Sequence, residues 1–114
     1  MRMTKIITAA AVLTIALTTA SFAAGDAKKG KVAFEKNGCW QCHGHEGQGG
    51  IAGPTLARTQ LPYEALNTFV RETNGAMPPF TKKILADQDL EDIYAYLQSI
   101  PAPADYKTIK LLNP

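Results

Sequence analysis

The only two cysteines of the chain stand three positions apart, and a histidine follows the second one: Cys39-Trp40-Gln41-Cys42-His43. The pattern Cys-x-x-Cys-His is typical of c-type haem attachment, in which each thiol adds across one vinyl group of the porphyrin. The spacing brings both sulfurs to one edge of the ring and leaves the imidazole of His43 under its centre, where it can bind iron. The pentapeptide therefore predicts one covalently bound haem c, attached through Cys39 and Cys42.

Two other uses of paired cysteines fit the surrounding sequence less well. A redox disulfide of the thioredoxin type lies at the start of a helix that follows a strand. Here a helical pattern precedes Cys39, and a glycine-rich segment follows His43. A structural zinc site needs further Cys or His ligands, and the only histidines, His43 and His45, lie within three residues of Cys42. The disulfide is the main alternative to the haem.

One methionine is placed to bind an iron on the side opposite His43. Met77 is the only methionine beyond residue 3, and it lies in the segment Gly75-Ala76-Met77-Pro78-Pro79-Phe80. Methionines on apolar faces usually fill cores, but the two prolines block helix formation and stiffen a short loop. A thioether is a soft, neutral ligand that favours Fe(II). We expect Met77 to be the distal iron ligand, and His45 to be a surface residue on the His43 side.

Residues 1–23 have the features of a secretory signal peptide. Two basic residues near the start are followed by the uncharged, largely apolar residues 6–20, and small residues precede a cleavage point before Ala24. The apolar run is shorter than the ~20 residues that span a bilayer core, so an uncleaved anchor is the weaker alternative. We therefore expect a bacterial periplasmic protein with a mature domain over residues 24–114 and no membrane span after cleavage.

The charge balance gives no support for binding to nucleic acid. The full chain has twelve Lys plus Arg against ten Asp plus Glu, and loss of residues 1–23 removes two basic residues and no acidic one. The mature chain is then neutral, but its charges are uneven: lysines crowd residues 28–36 and acids crowd residues 87–92. These groups form either two solvated helix faces or a polarised surface that orients the protein on a redox partner.

The mature chain predicts a small all-α domain. Apolar residues recur at helical spacing between capping residues and Gly or Pro stops, which places helices at about residues 26–36, 62–72 and 87–99. Gly30 lies inside the first helix at a cost in helix propensity, which a close crossing by another helix would explain. Residues 44–61 are expected to form a glycine-rich loop, with residues 47–50 either wrapped over a ring edge or mobile. The order of the tail, residues 104–114, is not predicted.

These motifs together resemble those of the class I c-type cytochromes, a family of small monohaem proteins. Cys39-x-x-Cys42-His43 resembles the family's haem-attachment motif, Gly53-Pro54-x-Leu56 its proline loop and Met77-Pro78 its axial methionine segment. The resemblance implies that the Pro54 carbonyl accepts a hydrogen bond from the ring N–H of His43. It also places Pro54 and Leu56 among the haem-binding residues. The crossing of the family's terminal helices has its counterpart in Gly30, Phe34, Ile93, Tyr96 and Leu97.

The resemblance implies electron transfer and no enzymatic activity of the chain itself. The second half is similar to short bacterial cytochrome subunits of periplasmic dehydrogenases, such as p-cresol methylhydroxylase. The expected partners are a dehydrogenase as electron donor and a terminal oxidase or another cytochrome as acceptor. The protein would act as a monomer or as a subunit of the dehydrogenase complex. A haem enzyme or small-gas sensor with an open sixth iron site is the alternative function.

Overall fold

The computed structural model describes residues 25–113, so the predicted signal peptide lies outside the described part of the chain. The described residues contain helices and no strand, which confirms the all-α prediction. None of the helices in this range is long and apolar enough to cross a membrane. In chain order the elements are α1 (Ala27–Lys36), α2 (Trp40–His43), α3 (Tyr63–Arg71), α4 (Asp87–Ser99) and the 3₁₀ turns Tyr106–Thr108 and Lys110–Leu112.

Helix α1 begins at a side-chain cap that is also tied to α4. The Asp26 carboxylate accepts hydrogen bonds from the amides of Lys28 and Lys29, at 2.9 and 3.2 Å, and so satisfies free amides of the first turn. The Asp26 amide donates to the carboxylate of Asp92 at 2.7 Å. Asp92 is only 3% exposed and so is not part of a solvated acidic face. Buried carboxylates need hydrogen-bond donors, and the side-chain amide of Gln88 supplies a second one at 3.0 Å.

Helices α1 and α4 cross in close contact at Gly30, as the sequence predicts. A Cβ at this position would lie 1.8 Å from the carbonyl oxygen of Asp92. One turn further on, the rings of Phe34 and Tyr96 pack with centroids 5.6 Å apart. The predicted apolar stripe of α4 is entirely buried and consists of Leu90, Ile93, Tyr96 and Leu97.

Helix α3 is one residue shorter at each end than predicted. Pro62 precedes the helix as its N-cap, because its ψ of 153° is extended. Leu66 is buried and Val70 half-buried against the core. Phe69, in contrast, is 59% exposed.

Residues 44–61 form the predicted loop, and backbone hydrogen bonds fasten it. The amides of Leu56 and Ala57 both donate to the Gly47 carbonyl, at 2.7 and 2.9 Å. The Arg58 amide donates to the carbonyl of Leu97 at 2.8 Å and thereby joins the loop to the end of α4. Gly47 is thus buried against the body of the domain, whereas Gln48 and Gly50 are exposed. The tail beyond α4 differs, because residues 101–113 are all exposed.

Candidate functional site

The end of α1 determines where the first cysteine lies. Gly38 has a φ of 73°, a left-handed conformation that glycine adopts without steric cost. Its amide donates to the Glu35 carbonyl at 3.1 Å, and the Cys39 amide donates to the Phe34 carbonyl at 3.2 Å. This pairing is a Schellman motif, which ends a helix and reverses the chain direction. Cys39 is therefore positioned by the helix that packs against α4.

The two cysteines lie at either end of one helical turn. Cys39 is the N-cap of α2 and has helical backbone angles, and Cys42 is in the helix itself. Residues three positions apart in a helix lie on the same face. Both thiols are free; Cys39 is half-buried and Cys42 is exposed. Burial raises the pKa of the Cys39 thiol to about 11. Sequence patterns did not predict α2, because four residues are too few to show apolar periodicity.

His43 is held in one orientation. The residue is 8% exposed, and its Nδ1 atom lies 2.8 Å from the carbonyl oxygen of Pro54. A carbonyl oxygen can only accept, so Nδ1 is the donor of this contact, and in the neutral ring with this tautomer the free lone pair is on Nε2. A neutral imidazole with one nitrogen free is the form that binds a metal. The contact implied by the family resemblance is thus present in the structure.

Gly53 allows the loop to approach His43 this closely. A Cβ at Gly53 would lie 2.9 Å from Nδ1 of His43 and 3.0 Å from the carbonyl oxygen of Cys42. On the other side of the same loop, the Gly49 amide donates to the His43 carbonyl at 2.7 Å. The loop therefore fixes both the ring and the backbone of the histidine. The role of Gly53 was missed from the sequence, although its place before Pro54 in the motif was a signal.

Leu56 and His45, two residues considered in the sequence analysis, lie in different surroundings. Leu56 is half-buried and, like Trp40, packs against the hydrophobic core. The ring of Trp40 stacks on that of His45, with centroids 4.6 Å apart and planes inclined by 15°. His45 is exposed, in agreement with its expected place at the surface.

Met77 lies in the connection between α3 and α4, residues 72–86, called here the methionine loop. Its side chain is partly buried. The hydroxyl of Thr73 donates to the Met77 carbonyl, and the Phe80 amide donates to the Val70 carbonyl at 2.9 Å. The first bond closes the loop on itself at Met77, and the second ties the chain three residues beyond Met77 to the last turn of α3. The structure thus holds Met77 on a different element from the Cys-x-x-Cys-His segment.

Arg71, at the end of α3, also holds the methionine loop and was not found from the sequence. Its guanidinium donates to the carbonyl oxygens of Phe80 and Leu85, at 2.8 and 2.7 Å. It also pairs with the Asp87 carboxylate at 2.9 Å. Two of these three partners are backbone carbonyls, which leave no trace in a pattern of side chains.

The residues around His43 fit a covalently attached haem. Two cysteine side chains lie on one helix face, and the adjacent imidazole uses Nδ1 for the Pro54 contact, which leaves Nε2 as the nitrogen that would bind iron. Glycine at position 53 brings a hydrogen-bond acceptor to the opposite nitrogen of the ring. Metal-bound histidines commonly donate their second nitrogen to a carbonyl in this way, which fixes the ring and raises its basicity.

The sequence is similar to one known protein family and to several individual proteins. Residues 25–97 match the family described as cytochrome c oxidase, cbb3-type, subunit III. The chain is similar to the 4-cresol dehydrogenase (hydroxylating) cytochrome c subunit of Pseudomonas putida, with 37% identity over 75 residues. That alignment covers 66% of this chain and 63% of the relative.

Two further relatives are similar over comparable lengths. The menaquinol:cytochrome c reductase cytochrome c subunit of Bacillus subtilis is 32% identical over 74 residues, 65% of this chain and 29% of that protein. Cytochrome c-555 of Methylococcus capsulatus is 28% identical over 67 residues, 57% of this chain and 54% of that protein. The chain therefore spans between 29% and 63% of the length of these relatives. No solved structure gives a match.

Proposed function

We propose that this chain, which belongs to the c-type cytochrome family matched over residues 25–97, carries single electrons in the periplasm on an iron held between His43 and Met77. The chain is an electron carrier with covalently bound haem c, and it is not an enzyme. When bound, the haem supplies a one-electron Fe(III)/Fe(II) couple. The proposal concerns which residues of the chain hold this group, where the protein works and with which partners.

The attachment is assigned to Cys39 and Cys42. They are the only cysteines of the sequence, and a c-type haem is attached through the thiols of a Cys-x-x-Cys-His motif. Their shared face of α2 supports this assignment. The neighbouring side chain of Leu56 would contribute apolar contact to the ring.

The proximal iron ligand is assigned to His43, and one observation carries the proposal: its Nδ1 donates to the Pro54 carbonyl at 2.8 Å. This bond leaves Nε2 as the binding atom and prevents the ring from rotating. A ring that is held in place before the metal binds does not need to be ordered afterwards. Gly53, by admitting the Pro54 carbonyl to the ring, belongs to the same arrangement.

The distal iron ligand is assigned to Met77. It is the only methionine among the residues described by the structure. Its carbonyl accepts a hydrogen bond from Thr73 within the loop, and Phe80 joins the loop to Val70 of α3. A thioether favours Fe(II) and raises the reduction potential relative to a second nitrogen ligand. Ligands that stay bound in both oxidation states need little rearrangement, which suits a carrier of single electrons.

The cellular role is proposed from residues 1–23 and from the relatives. The leader-like sequence of these residues supports export to the periplasm. Two relatives are named as cytochrome c subunits, one of a dehydrogenase and one of a reductase. We therefore propose a dehydrogenase as the electron donor and a terminal oxidase or another cytochrome as the acceptor. Co-purification of a flavin or quinone enzyme from native extract would identify a dedicated subunit, whereas a protein that elutes alone would be a free shuttle.

The ligand assignment is tested by the weak red charge-transfer band of an Fe(III)–thioether bond. The oxidised wild-type protein is expected to show the band, Met77→Ala to lose it, and the control His45→Ala to keep it. Covalent attachment is checked by an alkaline pyridine haem spectrum of the same samples. A wild-type protein with covalent haem but without the band would overturn ligation by Met77 and would favour an open sixth position.

A further inference from the structure

We infer that Arg71 is the positioning residue for Met77: its guanidinium fastens the methionine loop between α3 and α4 and so keeps the thioether in place. The inference rests on the proposed ligation by Met77. Arg71 forms its hydrogen bonds with Phe80, Leu85 and Asp87 and therefore acts on Met77 through the loop that carries it.

The three hydrogen bonds of Arg71 span the second half of the methionine loop. Its Nη1 atom donates to the Phe80 and Leu85 carbonyls, at 2.8 and 2.7 Å. Phe80 lies three residues after Met77, and Leu85 lies two residues before α4. Its Nη2 atom donates to the Asp87 carboxylate, in the first turn of α4, at 2.9 Å. A single side chain thus joins α3, both ends of residues 80–85 and α4.

The position of Arg71 makes these bonds strong. Its side chain is 11% exposed, and a buried charge is costly unless it is paired and hydrogen-bonded. Hydrogen bonds from a charged donor are roughly twice as strong as neutral ones. The Nε atom has no hydrogen-bond partner in the described structure, so the guanidinium depends on the loop and on Asp87. Moving the loop away from α3 would remove the carbonyl partners of a poorly solvated cation.

The other hydrogen bonds of the loop do not join α3 to the segment that enters α4. Thr73 and Val70 hold the loop close to Met77, but neither reaches the segment that enters α4. Among the described residues, Arg71 makes the hydrogen bonds that join α3 to Leu85 and Asp87. Without Arg71 we expect residues 77–85 to open as a unit more often, with Met77 carried along.

Binding of an added ligand measures this opening. Imidazole in solution can take the sixth iron position only while Met77 is away from it. The apparent affinity of the protein for imidazole is therefore proportional to the fraction of molecules in which the loop is open. A variant that loosens the loop binds imidazole more tightly, even though no residue that contacts the imidazole has changed.

The test compares the haem-loaded wild-type protein with Arg71→Met, Arg71→Lys and the control Lys82→Met. The Lys82 ammonium binds the other oxygen of Asp87 at 2.8 Å and is 73% exposed, but it does not touch the loop carbonyls. We expect the apparent imidazole affinity to rise about tenfold or more in Arg71→Met. Arg71→Lys keeps the charge but has one nitrogen for three acceptors, so we expect a rise of intermediate size. Lys82→Met is expected to stay within about twofold of wild type.

Failure of this inference can be distinguished from failure of the ligand assignment. A wild-type protein without the charge-transfer band would overturn ligation by Met77. A wild-type protein with the band, together with an Arg71→Met variant of native helix content and unchanged imidazole affinity, would overturn only the role of Arg71.

If neither Arg71 variant folds with its haem, hydrogen exchange of the wild-type protein tests whether residues 80–85 open as one unit. The Phe80 amide donates to Val70 and the Leu85 amide to Thr81. If Arg71 makes residues 80–85 open as one unit, both amides exchange with similar protection, within about threefold. Exchange at Leu85 that is roughly a hundredfold faster than at Phe80 would show independent opening and overturn the inference.

Discussion

The backbone of Gly30 lies directly against that of Asp92, where an added Cβ would come within 1.8 Å of the Asp92 carbonyl oxygen. This contact sets the distance between α1 and α4 and brings Phe34 onto Tyr96 in the core. Cys39 follows the end of α1 through the hydrogen bond of its amide to Phe34. The helix crossing that stabilises the domain therefore also places Cys39, the first of the two residues to which we assign haem attachment.

Substituting Gly30 by alanine is expected to destabilise the protein. Alanine gains ~1 kcal/mol in helix propensity, but its Cβ would collide with rigid backbone, so we expect a net loss of about 2–3 kcal/mol in the free energy of unfolding. Urea denaturation of the haem-loaded protein measures this loss of unfolding free energy. Gly75→Ala is the control, because no atom lies within 4 Å of its added Cβ. Equal stability of the two variants would contradict the close crossing.

Helices with a regular apolar period were predicted well from the sequence. A helix of a single turn and contacts between residues far apart in the chain were not. The bounds of α4, Asp87–Ser99, agree with the prediction because its apolar spacing is regular and Pro101 follows. Helix α2 was missed, since a single turn has no period. Asp92 was grouped with the solvated acids, because a charge pattern cannot show that the Asp26 amide meets this carboxylate in the interior.

The candidate site likewise has parts that could be predicted from the sequence and parts that could not. The segment Cys39 to His43 was accessible because it is a short motif that can be read along the chain. The contact between His43 and Pro54 was implied by the resemblance to a known family. Arg71 was not accessible, because it acts on carbonyl groups nine and fourteen residues away. Any residue type offers a backbone carbonyl, so such contacts depend on the fold and not on a motif.

Gly53→Ala is expected to disturb His43 specifically. Its Cβ would lie 2.9 Å from Nδ1, which forces the ring away from the Pro54 carbonyl. Loss of that hydrogen bond makes the imidazole less basic and so a poorer ligand for Fe(III). We therefore expect a higher reduction potential, measured by redox titration, and a stability loss of about 1–2 kcal/mol. In the same loop, Gly50→Ala meets no atom within 4 Å and should leave the potential unchanged; a shift of equal size there would refute the explanation.

Two substitutions of Asp92 separate its hydrogen bonds from its charge. Asp92→Asn keeps an oxygen that can accept from the Asp26 amide and from Gln88. Asp92→Ala removes this acceptor and leaves the amide at the start of α1 without a partner. We expect the alanine variant to lose about 1–3 kcal/mol of unfolding free energy and the asparagine variant clearly less. The measurement is again urea denaturation, and equal losses would show that the charge matters more than the hydrogen bonds.

The stability contributed by Asp87 is expected to depend on pH. Hydrogen bonds from Lys82 and then from Arg71 hold the pKa of this carboxyl below its ordinary value of 3.8. A lowered pKa in the folded state means that the unfolded chain takes up a proton first as the pH falls. The contribution of Asp87 is thus fully present above its ordinary pKa and is lost as the pH falls through the lowered one. Wild type should be more stable than Asp87→Asn at about pH 6, and this difference should shrink towards about pH 2.5.

Comparing the two proteins at each pH removes the titration of the other carboxyl groups, which both proteins share. Unfolding in urea, followed by circular dichroism, gives the difference directly. Lys82→Met provides the control background: because Lys82 contributes most to the lowered pKa, the pH-dependent part of the Asp87→Asn effect should be smaller there than in wild type. A difference between wild type and Asp87→Asn that stays constant from about pH 6 to 2.5 would mean that the ion pairs of Asp87 do not stabilise the folded state.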